Sequence, residues 1–162
     1  MKTWLIRIGI ALTAAIALLA ALTAIEYFGG TPMGLFAGSR PEGLGYVDGH
    51  FKPPTWKPNC VSSTIDKTDR HYIEPISLGA GNWAKLVATV KAQPRAAVVT
   101  EKPDYLYAEF TSAGMGFVDD VEFALDAKSG VIQVRSSSRL GISDRGVNRA
   151  RIEAIRAAFS KP

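Results

Sequence analysis

The sequence predicts an α+β fold: an N-terminal transmembrane helix followed by a four-stranded antiparallel meander with two helices packed on one face. Three observations lead to it, namely an uncharged N-terminal run, two stretches with helical periodicity, and four segments with strand periodicity between them. Consecutive antiparallel strands usually pair, and the helices that flank them cover one face of the sheet. We divide the chain into a transmembrane anchor or uncleaved signal segment (1–28), an arm rich in Gly, Pro and aromatic residues (29–58) and a globular domain (59–162).

The anchor prediction rests on residues 8–25, which contain no charged side chain. As a helix this run would measure about 27 Å, close to the roughly 30 Å hydrocarbon core of a bilayer. Lys2 and Arg7 precede it, so the positive-inside rule predicts a cytoplasmic N-terminus and an extracytoplasmic, periplasmic domain. A cleaved signal peptide is the alternative, although its apolar region is usually only about 7–15 residues long. We predict a single-pass protein of the inner (cytoplasmic) membrane that contacts the bilayer through residues 5–25.

The composition limits the classes of partner and cofactor. With 162 residues, 47% of them hydrophobic and 21% charged, the chain resembles one folded domain and not a disordered protein. One cysteine and two histidines exclude an intrachain disulfide scaffold and a cysteine-based zinc site. Lys2 and Arg7 are two of the 19 basic residues, and the others nearly balance the 15 acidic ones. We therefore predict no nucleic-acid partner, no metal and no cofactor.

The arm contains many residues that interrupt helices and strands. Gly and Pro recur throughout residues 29–58, and large apolar residues lie among them: Phe36, Leu44, Tyr46, Phe51 and Trp56. Such a stretch holds neither a helix nor a central strand. We predict an extended arm laid over the domain and packed against the core from Leu44 onward. A disordered tether is an alternative for residues 29–42.

The periodicities beyond the arm predict two helices and four strands. Apolar residues at i, i+3, i+4 and i+7 from Trp83 predict an amphipathic helix over residues 82–92, which Pro94 ends. A second apolar face predicts a helix over residues 145–160, with Ser143 or Asp144 as its N-cap. Alternating patterns between the helices predict strands over residues 96–101, 105–112, 119–126 and 131–138.

The turns after residues 112 and 126 predict the strand register. In one register all the apolar strand residues lie under the helices: Leu106, Ala108, Val121, Phe123, Leu125, Ile132 and Val134. A slip of one residue would bury the carboxylates instead, so the pattern constrains the register strongly.

The opposite face of the predicted sheet is polar, and it is the main candidate site. It collects Tyr107, Glu109, Asp120, Glu122, Arg135 and Ser137. Glu122 lies opposite Arg135, whereas Glu109 lies opposite Asp120 and would repel it. Opposed carboxylates can share a proton or hold a hard cation, or one can serve as a general base. The alternative is a solvated sheet surface with a cross-strand ion pair.

Two other features have a functional and a structural interpretation. The segment RSSSR over residues 135–139 runs towards the start of the last helix and could offer donors to an anion. The structural alternative is a strand end before a capped helix, with Arg139 and Arg145 paired to Asp119 or Asp144. Cys60 and His71 could form a nucleophile pair, but a structural cysteine and a hydrogen-bonded histidine are favoured because no spacing brings them together.

Several motifs resemble those of one bacterial and plastid family, the domain of unknown function 1499, over about residues 44–159. They are KPNCVSS from residue 57, HYIEP from 71, FVDDVEF from 117, VRSSSRLG from 134 and DRGVNR from 144. Members of the family often have another cysteine shortly before the first motif, but residues 51–56 contain none, so Cys60 has no disulfide partner here. The resemblance implies no activity; it points to Asp119, Asp120, Glu122, Arg135, Arg139, Asp144, Asn148 and Arg149.

The predicted function is that of an interaction or accessory subunit of a larger membrane-associated complex, with the domain outside the cytoplasm. The alternative is a small-ligand or ion-binding domain that uses the Glu122/Arg135 face. A hydrolase with Asp120 or Glu122 as general base is a third, weaker interpretation, because no catalytic motif is present. The candidate ligand-binding residues are Glu109, Asp120, Glu122, Arg135, Arg139, Asn148 and Arg149; we predict no catalytic residue.

Overall fold

The computed structural model describes residues 2–29, 36–79 and 81–161. In chain order the elements are α1 (Lys2–Gly29), β1 (Cys60–Ser62), β2 (Ile76–Ser77), α2 (Trp83–Lys91), β3 (Ala96–Glu101), β4 (Tyr105–Thr111), β5 (Val118–Asp126), β6 (Val131–Ser138) and α3 (Val147–Phe159).

The sheet has six antiparallel strands, so the predicted four-stranded meander is wrong in strand number. The order is β1-β6-β5-β4-β3, and β2 also pairs with β6. The two additional strands have three and two residues, which is too short to show an alternating pattern. Cys60 of β1 lies opposite Ser137, and Ile76 of β2 lies opposite Ile132, so both strands extend the sheet beyond β6.

The predicted register of the three long strands is confirmed. Leu106 pairs with Phe123, and Phe123 pairs with Val134. All three are fully buried in a core that α2 and α3 complete with Leu86, Val90, Ile152 and Ile155. Burial of each such side chain is worth about 1.5–3 kcal/mol relative to exposure, which favours this register over any one-residue slip.

The caps of α2 and α3 explain where these helices begin. The Asn82 side chain accepts from the amide nitrogen of Lys85 and caps α2. Helix α3 begins at Val147, after Gly146 at φ 83°, and therefore two residues later than predicted. The N-cap is Gly146, so the prediction of Ser143 or Asp144 is wrong, although the Asp144 carboxylate accepts from the amide nitrogens of Gly146 and Asn148 at 3.0 and 2.9 Å and so stabilises the start of the helix.

The outer strand β3 is irregular. Its register against β4 shifts between Val98 and Thr100, which marks a β-bulge. Glu101 at its end forms an exposed ion pair of 2.7 Å with Lys91 of α2. Gly81, two residues before α2, lies against Phe159 of α3, and a Cβ at residue 81 would come within 2.3 Å of the ring.

The described residues include no helix with both the length and the apolar character that crossing a membrane requires. The finding contradicts the predicted transmembrane anchor. It equally contradicts the predicted location as a single-pass inner-membrane protein with a periplasmic domain.

Candidate functional site

The polar face is formed by β4, β5 and β6 on the side away from α2 and α3. The predicted pairs are present: Glu109 opposite Asp120, and Glu122 between Tyr107 and Arg135. These groups are nevertheless removed from solvent, with exposed fractions of 4% for Glu109, 1% for Asp120 and 0% for Glu122. The interpretation as a solvated sheet surface is therefore wrong.

Residues 36–52, which we call the arm from here on, cover one end of this face through Arg40. The guanidinium donates to Glu109 Oε1 from Nε at 2.8 Å and from Nη2 at 2.7 Å. It also lies 5.7 Å from the centre of the Tyr107 ring, within the range of a cation–π contact. Phe36 stacks on Phe117 at 5.1 Å between ring centres, so the start of the arm is also held against the sheet.

The other end of the face is covered by backbone groups of the arm. The Gly45 amide nitrogen donates to Glu122 Oε1 at 2.7 Å, and Arg135 Nε donates to the Lys52 carbonyl oxygen at 3.0 Å. Phe51 is 4% exposed, so this residue of the arm packs on the domain as predicted, whereas Val47 is 68% exposed. Residues 30–35, the part of the predicted arm before this segment, lie outside the described residues.

Arg139 resolves the repulsion between Glu109 and Asp120. Its Nε donates to Asp120 Oδ2 at 3.0 Å, and its Nη2 lies 2.7 Å from Asp120 Oδ1 and 2.5 Å from Glu109 Oε1. The Tyr107 hydroxyl lies 2.6 Å from Asp120 Oδ1. Burial would raise the pKa of Glu109, but hydrogen bonds from Arg40, Arg139 and Tyr107 outweigh it and hold the pKa below its usual value. A guanidinium, and not a shared proton, therefore joins the two carboxylates.

Both carboxylate oxygens of Glu122 likewise have hydrogen-bond donors. Its Oε1 accepts from the Tyr105 hydroxyl at 2.8 Å as well as from Gly45, and its Oε2 accepts from Arg135 Nη1 at 2.9 Å. Burial, together with the Glu122 charge, raises the pKa of Tyr105 well above its usual value, so this phenol stays a donor. A carboxylate with both oxygens occupied and no contact with solvent is not available as a general base.

The polar face is thus a charge-balanced cluster whose carboxylates are buried, while the Arg40 side chain at its edge is 54% exposed. Three carboxylates, of Glu109, Asp120 and Glu122, face three guanidinium groups, of Arg40, Arg135 and Arg139. Within the described residues every buried side-chain nitrogen and oxygen has a hydrogen-bond partner. The same residues contain no group of three or more His, Cys, Asp or Glu suited to a metal ion. The RSSSR segment places Arg135 and Arg139 in this cluster, so it does not present them to an external anion.

Asn148 does not belong to this cluster, because it lies on the opposite face of the sheet, which the helices cover. Its Nδ2 donates to the Asn59 carbonyl oxygen at 3.0 Å and to Ser138 Oγ at 2.9 Å, and its Oδ1 accepts from Ser136 Oγ at 2.5 Å. It is fully buried and joins α3 to β1 and β6. These contacts make it a structural residue of the core and separate it from the other candidates.

Asp119 also belongs to the helix-covered face. Its partner is Arg151, whose Nη2 lies 2.5 Å from Asp119 Oδ2, and not Arg139 as the structural alternative had it. Arg151 also lies 4.9 Å from the centre of the Phe110 ring. The sequence gives no periodicity that singles out Arg151, since it is one of several arginines on the last helix.

Arg149 is at a cleft beside the start of α3. The cleft has a volume of about 310 Å³, and its lining residues, which include both Cys60 and His71, are Pro58, Cys60, Val61, Arg70, His71, Ser143, Asp144, Gly146 and Arg149. Arg149 Nη2 donates to the carbonyl oxygens of Arg70 and Tyr72 at 3.2 and 2.7 Å. Over the described ranges its Nε and Nη1 have no hydrogen-bond acceptor, so both remain available at the cleft.

His71 and Cys60 have structural roles, as favoured from the sequence. His71 Nδ1 lies 2.7 Å from Asp69 Oδ1 and its Nε2 lies 3.0 Å from the Lys57 carbonyl oxygen, so both ring nitrogens are engaged. The Cys60 thiol donates to the Val61 carbonyl oxygen at 3.7 Å. Burial raises the pKa of Cys60, whereas a nucleophilic cysteine needs a lowered one.

Large apolar side chains that are close in sequence to the cleft residues are exposed, which the sequence did not predict. Trp56 is 70% exposed, Ile142 62% and Val147 49%. Arg70 Nη2 donates to the Trp56 carbonyl oxygen and holds that residue beside the cleft. The prediction that the arm packs against the core from Leu44 onward is therefore wrong for Trp56, and the position of this residue between Pro54 and Pro58 is the sequence signal that sets it apart.

The comparisons with known proteins give one match. The model of a family described as protein of unknown function (DUF1499) matches residues 50–159. No curated protein and no solved structure matches the chain. The matched range begins within the arm, just before Phe51, and contains β1 to β6, α2 and α3. This confirms the resemblance found in the motifs, and the chain belongs to the DUF1499 family of proteins of unknown function.

Proposed function

We propose that the domain is an interaction module that binds an acidic segment of a partner protein at the cleft beside the start of α3. The observation that carries the proposal is a cleft with unused arginine donors, together with exposed large apolar side chains that are close in sequence to its lining residues. Exposed apolar groups next to arginine are typical of binding surfaces, in which Trp and Arg contribute most of the affinity. An accessory role towards a larger protein fits this surface.

The charges around the cleft favour an acidic partner. Arg70 and Arg149 each use one terminal nitrogen on a backbone carbonyl. The neighbouring acids are occupied within the domain: Asp69 binds His71, and Asp144 binds two amide nitrogens of α3. Burial would raise the pKa of Asp144, but those N–H donors outweigh it and hold the pKa below its usual value. The groups left for a ligand are therefore mainly cationic donors.

The apolar side chains favour a partner segment that also carries apolar residues. Ile142 and Val147 are exposed sequence neighbours of the lining residues Ser143 and Gly146, and the exposed Trp56 lies two positions before the lining residue Pro58. An aromatic or aliphatic side chain on the partner would cover them and gain about 25 cal/mol for each Å² removed from water. The polar face is a weaker candidate for such a ligand, because its hydrogen-bonding groups are already occupied by the arm.

The test uses the full chain and a fluorescein-labelled peptide of alternating Glu and Leu residues, followed by fluorescence anisotropy. We expect Arg70→Ala and Ile142→Ser each to weaken binding by about fivefold, a value typical of a partly exposed contact. Lys128→Ala, at an exposed turn between β5 and β6, is the matched control and should leave binding unchanged. A second peptide with Lys in place of Glu tests the charge. Equal binding of the two peptides, or no loss in both cleft variants, would overturn the proposal.

A further inference from the structure

The arm contacts the polar face in the way that a bound peptide contacts its receptor. Only one arm side chain, that of Arg40, enters the ionic cluster. The other two polar contacts use backbone groups, the Gly45 amide and the Lys52 carbonyl. A peptide segment can be recognised through one side-chain anchor together with backbone hydrogen bonds, which here both follow the anchor in the chain.

The groups that receive the arm are held in place by the sheet itself. Glu109 is fixed by Arg139 Nη2 at 2.5 Å, and Glu122 by Arg135 Nη1 at 2.9 Å, with no contribution from the arm. Tyrosine hydroxyls from β4 hold the same two carboxylates at 3.0 and 2.8 Å. With the arm removed, both acceptors would keep their positions, and a preorganised acceptor costs little to bind.

Without the arm, the ionic cluster on the sheet has a net negative charge and therefore favours a cationic ligand. Without Arg40 it contains the carboxylates of Glu109, Asp120 and Glu122 but only the guanidinium groups of Arg135 and Arg139. One buried negative charge is then uncompensated, which is costly in a site of low dielectric. A guanidinium suits this position better than an ammonium, because it can donate two hydrogen bonds to Glu109 and lie over the Tyr107 ring.

A short linker joins the arm to the domain, so the arm can be regarded as a tethered ligand of the sheet. Residues 53–58 contain Pro53, Pro54 and Pro58 and lead directly to β1. A linker of this length maintains an effective arm concentration in the millimolar range, so the tethered arm excludes weak competitors. The arm also has its own structure, since Val47 and His50 exchange two backbone hydrogen bonds of 2.9 Å.

We propose that the polar face is a binding site for an arginine-bearing peptide segment, which the chain fills in cis with residues 36–52. The ligand class is defined by a guanidinium for Glu109, a backbone N–H for Glu122 and a backbone carbonyl for Arg135. The arm is then a ligand held by a tether, and the same segment binds when the tether is cut.

The experiment uses the full chain with a protease recognition sequence inserted between Pro54 and Thr55. After cleavage, size-exclusion chromatography should show the two fragments eluting together, and a synthetic peptide of residues 36–52 in excess should displace the arm fragment. The same peptide with Arg40→Ala should compete about tenfold less well, because it leaves Glu109 without its outer donor. The peptide with Glu42→Ala is the matched control, since that side chain is exposed, and it should compete like the native sequence.

A substitution on the sheet tests whether the peptide binds specifically to the polar face. In the cleaved chain with Glu109→Gln, the peptides with and without Arg40 should compete about equally, because the acceptor of the guanidinium has lost its charge. Three results would overturn the proposal: unfolding of the cleaved chain, seen by circular dichroism; release of the arm fragment with no rebinding of the peptide; or equal competition by the native and Arg40→Ala peptides with Glu109 intact. None of these readouts depends on the α3 cleft.

Discussion

Glu122 and Arg135 lie opposite each other on β5 and β6, joined at 2.9 Å, with exposed side-chain fractions of only 0% and 6%. A pair so completely removed from water differs from a surface ion pair, because neither charge can be solvated if its partner is lost. The pair is also the point at which the sheet and the arm meet, through Gly45 on one side and Lys52 on the other.

Replacement of Glu122 should be among the most destabilising single changes in the domain. Glu122→Ala leaves the Arg135 guanidinium buried without a counter-charge, and we expect a loss of about 3–5 kcal/mol in the free energy of unfolding. Urea denaturation followed by circular dichroism measures it. Glu153→Ala is the control, since Glu153 pairs with Arg156 within α3 and is 53% exposed; it should cost less than about 1 kcal/mol. Similar losses for the two variants would contradict the buried pair.

The stability of the domain should fall in acid partly through Glu109. Its folded-state pKa lies below its usual value, so its contribution is present above the unfolded-state pKa and is lost as the pH falls through the folded-state pKa. Urea midpoints measured from neutral pH down to about pH 3 should show this decrease. In Arg40→Ala one donor is missing, so the decrease attributable to Glu109 should be smaller. Lys91→Ala, which removes an exposed ion pair with Glu101, should leave the shape of the curve unchanged.

Gly81 should not tolerate a side chain, for a steric reason alone. A Cβ there would come within 2.3 Å of the Phe159 ring, so Gly81→Ala should destabilise the domain by about 1–3 kcal/mol. Thermal unfolding measures the loss. The second-site change Phe159→Leu removes the ring, and the double variant should lose less than the sum of the two single variants. Strict additivity would show that the two residues are not in contact.

The cap of α3 can be tested at two adjacent residues. Asp144→Ala removes hydrogen bonds to the amide nitrogens of Gly146 and Asn148, and we expect a cost of about 0.5–2 kcal/mol. Ser143→Ala removes only an acceptor 3.3 Å from the Arg145 amide nitrogen and should cost much less. Hydrogen exchange of the first turn of α3 should accelerate in the first variant and not in the second.

The strand register could be predicted from the sequence because the alternation of apolar and polar residues and the length of the turns both indicate the same set of core-facing side chains. A one-residue slip would have exchanged Phe123 for Glu122 in the apolar core and moved Glu122 away from Arg135, its partner in the observed register. The six-strand count could not be predicted, because a strand as short as Ile76–Ser77 carries no periodic signal. It forms only because β6 offers unpaired backbone groups beside it.

The burial of the polar face could not be predicted for a different reason. The arm closes it through the Gly45 amide and the Lys52 carbonyl, and backbone groups leave no trace in residue type. Arg40 was the one residue type in the arm that indicated this contact, since a single arginine in a segment rich in Gly and Pro can form an ion pair with a carboxylate that lacks a partner. Its partner Glu109 lies 69 positions away, a distance over which spacing carries no information.

The bulge in β3 has a consequence for how the protein behaves when concentrated. Exposed sheet edges invite another chain to add itself as a further strand, which is one route to fibrous aggregates. At one border of the sheet the shift between Val98 and Thr100 twists the backbone away from such pairing, and the charged Glu101 follows it. At the other border the strands have only three and two residues. Neither border offers a long flat template, so the sheet resists lateral growth.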